Sequence, residues 1–113
     1  MKYELTGYTS MSLGYTLHRI KALKDFGNVK AGDLGGYIGS TNNLSQDGNA
    51  WVYENAKVYG NAEVYGDAEV HGNARVYGSA LVYENAKVYG NAKVHGNAEV
   101  CGDASVFENA LVY

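Results

Sequence analysis

From Asn49 to Tyr113 a valine stands at every sixth position without a slip, from Val52, Val58 and Val64 onward to Val112. An alanine precedes each by two residues, from Ala50 to Ala110, so the unit is Ala-x-Val-Tyr-Gly-Asn. A strict short period constrains the architecture before any other feature does. Ala and Val alternate with x and Tyr, which is the period of a strand with the two small apolar residues on one side. The Gly-Asn pair is turn chemistry, because both residues tolerate positive φ. Short strands and turns repeated identically cannot fold back as hairpins with alternating faces. They wind into a solenoid with Val and Ala inside. Three sides close a triangular coil of eighteen residues, with residue i beneath i+18 at a strand separation of about 4.8 Å.

The pairs Val52 with Ala56, Val58 with Ala62 and so on to Val106 with Ala110 set an aliphatic residue four positions before a small one. In this the segment 49–113 resembles the left-handed parallel β-helix of the hexapeptide-repeat family. The left hand is implied by that resemblance and not by the pattern. The chain is therefore read as all-β: a left-handed parallel β-helix over residues 44–113 and an N-terminal β-rich cap over residues 1–43.

Within the cap, Leu13, Tyr15 and Leu17 alternate, and Gly7 and Gly14 bracket a polar stretch from Tyr8 to Ser12 that reads as a hairpin loop. A short helix over Leu17–Phe26 competes, since Leu17, Ile20 and Leu23 recur at three; the alternation favours strands. Counting back by six from Ala50 meets Leu44 and Ile38, which puts large residues in the small-residue column and predicts an irregular first coil. Gly35-Gly36 reads as a turn. The wording "ALKDFGNVKAGDLGGYI" followed by "NLSQDGNAWVYENA" is similar to small hexapeptide proteins of bacteria, phages and prophages.

Composition narrows the functional classes. Fifteen glycines and no proline fit a turn-rich solenoid. A net charge of −3 excludes a globally basic nucleic-acid binder but not a local basic patch. Direct nucleic-acid binding is not expected. The lone Cys101 cannot form an internal disulfide, which predicts a reducing compartment. With no long apolar run, the expected location is the bacterial cytoplasm, with no membrane segment.

Stacking by eighteen sorts the outward residues into three faces. The first holds Trp51, Glu69, Lys87 and Ser105, and the third holds Glu63, Leu81 and Glu99. The second sets the basic ladder Lys57, Arg75 and Lys93 beside the aromatic ladder Tyr59, Tyr77 and His95, and these six are the candidate binding residues. Such a face is either a solvated surface or a docking site for an acidic protein or nucleoprotein, a nucleic acid backbone or the acidic face of a second copy. Phe107, Leu111, Val112 and Tyr113, on the last rung, are the candidate oligomer interface, which favours a dimer over a trimer.

The hexapeptide resemblance also implies acyl transfer by a histidine at a trimer interface, with His71 or His95 as the candidate. No excursion loop interrupts the hexads to build a pocket, and both histidines stand in a tyrosine column. Neither histidine converges with Cys101 at zinc-like spacing. No catalytic residue, metal or cofactor is assigned. The reading is a non-catalytic protein-binding module, in its narrowest form a phage- or prophage-encoded inhibitor of a host defence protein such as a CRISPR effector. The alternatives are a self-assembling scaffold and, third, an acyltransferase.

Overall fold

A computed structural model describes residues 1–113. Three longer strands open the chain: β1 (Tyr3–Ser12), β2 (Tyr15–Ala22) and β3 (Leu34–Ile38). Eleven two-residue strands follow, each made of an x-Val pair, from Trp51–Val52 to Leu111–Val112. They pair in parallel at a spacing of eighteen, as Lys57 with Arg75 and Arg75 with Lys93 do. Every valine from Val52 to Val94 and every alanine from Ala50 to Ala92 is fully buried. A fully buried valine contributes about 1.5–3 kcal/mol, so the column supplies the core one coil at a time.

Between coils the backbone forms a continuous ladder. Arg75 N–H donates to the Ala92 carbonyl (3.0 Å), Tyr77 N–H to Val94 (2.9 Å) and Ser79 N–H to Gly96 (2.9 Å). The corners require a left-handed residue. Glycine supplies it at positions such as Gly66 and Gly90, while Glu54, Glu84 and Glu108 take the same conformation with φ near +58°. Two of these glutamates recover part of the strain by reaching one coil on: the Gly72 N–H donates to Glu54 Oε1 (2.8 Å) and the Gly102 N–H to Glu84 Oε1 (3.1 Å). Glu84→Ala, which keeps the strain and loses the bond, should therefore cost about 1–2 kcal/mol, whereas Glu84→Gly should stay within about 0.5 kcal/mol. Urea unfolding of the two variants measures the difference.

The cap departs from the sequence expectation in three places. Tyr8–Ser12 is strand and not loop: β1 runs to Ser12, with an irregularity between Leu5 and Thr9, and the hairpin turns at Leu13-Gly14, both at positive φ. Residues from Leu17 to Ala22 are strand, as the alternation favours, and the helical alternative fails there. Gly35-Gly36 is not a turn but the middle of β3. Finally, Ile38 pairs with Val58 and Leu44 bridges to Val64, at a spacing of twenty. Both therefore belong to the valine column, not the alanine one, and parallel pairing begins at Tyr37. A corner with two extra residues between Leu44 and Val52 shifts the count.

That enlarged corner anchors the cap. The Gln46 side-chain oxygen accepts from the backbone N–H groups of Lys2 (2.8 Å) and Tyr3 (3.2 Å). Lys2 is 1% exposed, and its ammonium reaches three carbonyls around the corner, the nearest Ala50 O at 2.8 Å, and lies over the Phe26 ring. Burial pushes this lysine down to about 8, against the pull of the Asp47 carboxylate. Between pH 8 and 10.5 the unfolded chain thus binds the proton that the fold has released, and stability rises with pH across that window. Burial raises the Tyr3 hydroxyl to about 12, so its contribution is lost above pH 10. From pH 7.5 to 10 the wild type should gain up to about 3 kcal/mol relative to Lys2→Met, as read from urea midpoints.

The seven-stranded sheet runs β1, β2, β3 and then the strands at Lys57, Arg75, Lys93 and Leu111. β1, β2 and β3 are antiparallel neighbours, and β3 joins the solenoid in parallel. The other two sides are sheets of four and three strands. No helix is long and apolar enough to cross a membrane.

Candidate functional site

The outer side of the seven-stranded sheet gathers the positive charge. Register places Arg19 beside Tyr37, Tyr37 beside Lys57, Lys57 beside Arg75, and Arg75 beside Lys93. Lys57, Arg75 and Lys93 thus form the expected column, and the structure extends it by Tyr37 and Arg19. The Arg19 guanidinium lies 4.5 Å from the Tyr37 ring centre and the Lys57 ammonium 5.7 Å from the same ring. Arg19 Nη2 donates to Asn55 Oδ1 (3.0 Å) and more weakly to the Glu54 carbonyl. Lys30 pairs with Asp25, and His71 Nε2 lies 2.7 Å from Glu69 Oε1. None of the four cations in the column has a carboxylate within 4.0 Å.

Arg19 and Tyr37 escaped the sequence reading for separate reasons. The two-residue corner hid Tyr37 from an eighteen-residue count. Arg19 arrives on an antiparallel strand that the hexad does not govern. The available signal was the alternation of β2, which sets Arg19 and Lys21 on either side of the buried Ile20.

Beside the cations runs a stack of rings. Tyr59 and Tyr77 are 5.3 Å apart, Tyr77 and His95 5.1 Å, and His95 and Tyr113 5.3 Å, all within 19° of parallel. Tyr15 from the hairpin adds a tilted ring 5.3 Å below Tyr59. Tyr59, expected to bind, is 1% exposed, and its hydroxyl is buried without a partner. It supports the stack and offers no contact surface. Tyr77 and His95 are half-buried and present their edges.

The remaining expected residues are dispersed. Trp51, assigned outward from its column, is 1% exposed because Tyr3 and Phe26 close over it edge-on. His71 bonds Glu69 at 2.7 Å and stacks on Tyr53 at 4.1 Å, so its ring is held within the first face. On the third face Tyr65 stacks on Tyr83, and the Tyr83 hydroxyl donates to Glu99 (2.9 Å). Hydrogen bonds to Cys101 and Glu99 raise the Tyr83 hydroxyl well above its ordinary range. His71, His95 and Cys101 follow strands of three different sheets. No group of three or more His, Cys, Asp or Glu side chains is arranged to hold a metal ion.

On the last coil, Phe107 stacks on Tyr89 and Tyr113 on His95, both substantially exposed. Leu111 continues the basic column above Lys93 and is half exposed, while Val112 points inward beside Val94. Val106, Phe107, Ala110 and Val112 line a shallow apolar concavity of about 580 Å³.

Among known families, the YdcK Beta solenoid repeat matches residues 70–84, in the middle of the solenoid. No curated protein matches the chain significantly. The fifteen matched residues hold Val70, Val76 and Val82 of three successive strands, which pair with the coils above and below at eighteen-residue spacing. Together, this match and the stacked parallel coils make the chain a β-solenoid repeat protein.

Proposed function

We propose that the protein is a non-catalytic binding module whose seven-stranded outer face docks an acidic surface of another protein. The supporting observation is the column of four cations, Arg19, Lys57, Arg75 and Lys93, without a carboxylate within reach on a chain of net charge −3. Like charges one or two rungs apart repel modestly, and an acidic partner relieves that repulsion while steering the encounter. The backbone carrying them is a hydrogen-bonded sheet, so little ordering cost falls on association. Acyl transfer is less well supported, since His71 and His95 are both engaged as rungs of ring stacks.

In its narrowest form the module is a phage- or prophage-encoded inhibitor of a host defence protein in the bacterial cytoplasm, a reading that rests on the wording of its cap and first coil. The test is capture from a host lysate with tagged wild type and with the double variant Arg75→Glu/Lys93→Glu. The wild type should retain a partner that the variant loses at equal melting temperature. Recovery of the protein alone by both would count against the proposal. Self-association is the second reading, favoured by the apolar surface of Phe107, Leu111 and Val112; a monomer in micromolar sedimentation runs would reject it.

A further inference from the structure

The geometry points to an acidic α-helix as the partner element, lying along the solenoid axis with its carboxylates on Arg19, Lys57, Arg75 and Lys93 and an apolar side chain in the notch at the cap end. This rests on the docking reading above and adds the shape of what docks.

Spacing is the first argument. Rungs of the column are about 4.8 Å apart, so Arg19 and Lys93, four rungs apart, are separated by roughly 19 Å. Helix residues three and four apart share one side and rise about 4.5 and 6 Å, a mean near 5.3 Å per contact. The mismatch is about 0.5 Å per rung and roughly 2 Å over the column, within the swing of flexible Lys and Arg side chains. An extended strand on the same axis repeats on one side every ~6.6 Å and drifts by roughly 7 Å over the same four rungs. A helix keeps register where a strand does not.

The notch is the second argument. Tyr8, Arg19, Leu34 and Tyr37 line a concavity of about 400 Å³ at the cap end of the column. Leu34 is 50% and Tyr8 66% exposed. Arg19 and Tyr37 belong to both notch and column, so the two are one continuous surface. Tyr37, with Arg19 and Lys57 over its ring, is the fixed point between them. A helix with acids at i, i+4 and i+7 over Lys93, Arg75 and Lys57, an uncharged i+11 over Tyr37, an acid at i+14 over Arg19 and a leucine one turn beyond fits both parts.

Fluorescence anisotropy of the full chain with two labelled peptides of identical composition tests this. One is a lactam-locked helix with glutamates on a single side and the leucine at its end; the other scrambles the same residues around the helix. The one-sided helix should bind in the micromolar range and the scrambled one at least about tenfold more weakly. Arg75→Glu should weaken the one-sided helix about tenfold or more. Leu34→Ser should weaken it severalfold, and should leave a version without leucine unchanged. Equal binding of both peptides overturns the helix and leaves the docking reading standing. So does the absence of peptide binding by a protein that still captures a charge-dependent partner. A single-stranded oligonucleotide that binds more tightly and displaces the helix assigns the face to nucleic acid and overturns the inference. Failure of both peptide binding and charge-dependent capture removes the docking reading as well.

Discussion

Val82→Asp is expected to abolish cooperative folding. Val82 is fully buried in the third sheet, with Val64 in the coil below and Val100 in the coil above. The column offers no cation and no hydrogen-bond donor to a carboxylate. An unpaired buried charge costs at least about 4–5 kcal/mol after relaxation, close to the whole stability of a small domain at about 5–15 kcal/mol. The damage also propagates, because each coil is stabilised chiefly by its two neighbours and the substitution disrupts both interfaces. Circular dichroism melting should show no cooperative transition. Lys87→Asp, beside an inward valine but facing solvent, should melt within a few degrees of wild type. Retained thermal stability in Val82→Asp would mean that the valines do not face inward.

Gly36→Ala carries the second large effect. Gly36 stands in the alanine column two residues before Ile38, and an added Cβ would lie 2.5 Å from the Ala56 carbonyl oxygen and 2.7 Å from Val52 Cγ1. Its φ lies outside the left-handed region, so the cost is contact alone. The obstructing oxygen accepts the Tyr37 N–H, the bond that fastens β3 to the first regular coil. Overpacking against backbone, which cannot swing aside, costs about 3 kcal/mol. The melting temperature should fall by more than ten degrees, with early amide exchange at Tyr37 and Gly39. Gly7→Ala, where nothing lies within 4 Å of the new methyl, should be silent. If Gly36→Ala were equally silent, β3 would not pack against the coil as described.

The two glycine outcomes mark where local pattern stops informing. Gly35-Gly36 reads as a turn because glycine pairs usually make turns. In the structure these residues are glycine because a strand presses against the backbone of the coil beside it, with Val52 O 2.6 Å from a Cβ on Gly35. The same limit applies to Tyr37. It lies twenty residues from Lys57 instead of eighteen, so periodic counting misses a rung that pairing reveals. Trp51 errs the other way: its column faces outward, and only the folded cap shows that Tyr3 and Phe26 bury it.

By itself the sequence determined the solenoid, the eighteen-residue coil, the inward Val and Ala columns and the sequence of charges along Lys57, Arg75 and Lys93. These follow from a period repeated in neighbouring residues, and every coil repeats the same local choice. Tertiary structure alone decided the rest. It showed where the period slips, how Lys2 and Gln46 fasten the cap to the enlarged corner, and that Arg19 and Tyr37 complete the cationic face. Each of these depends on contacts between residues far apart in the chain, set by antiparallel pairing and side-chain packing that no hexad encodes.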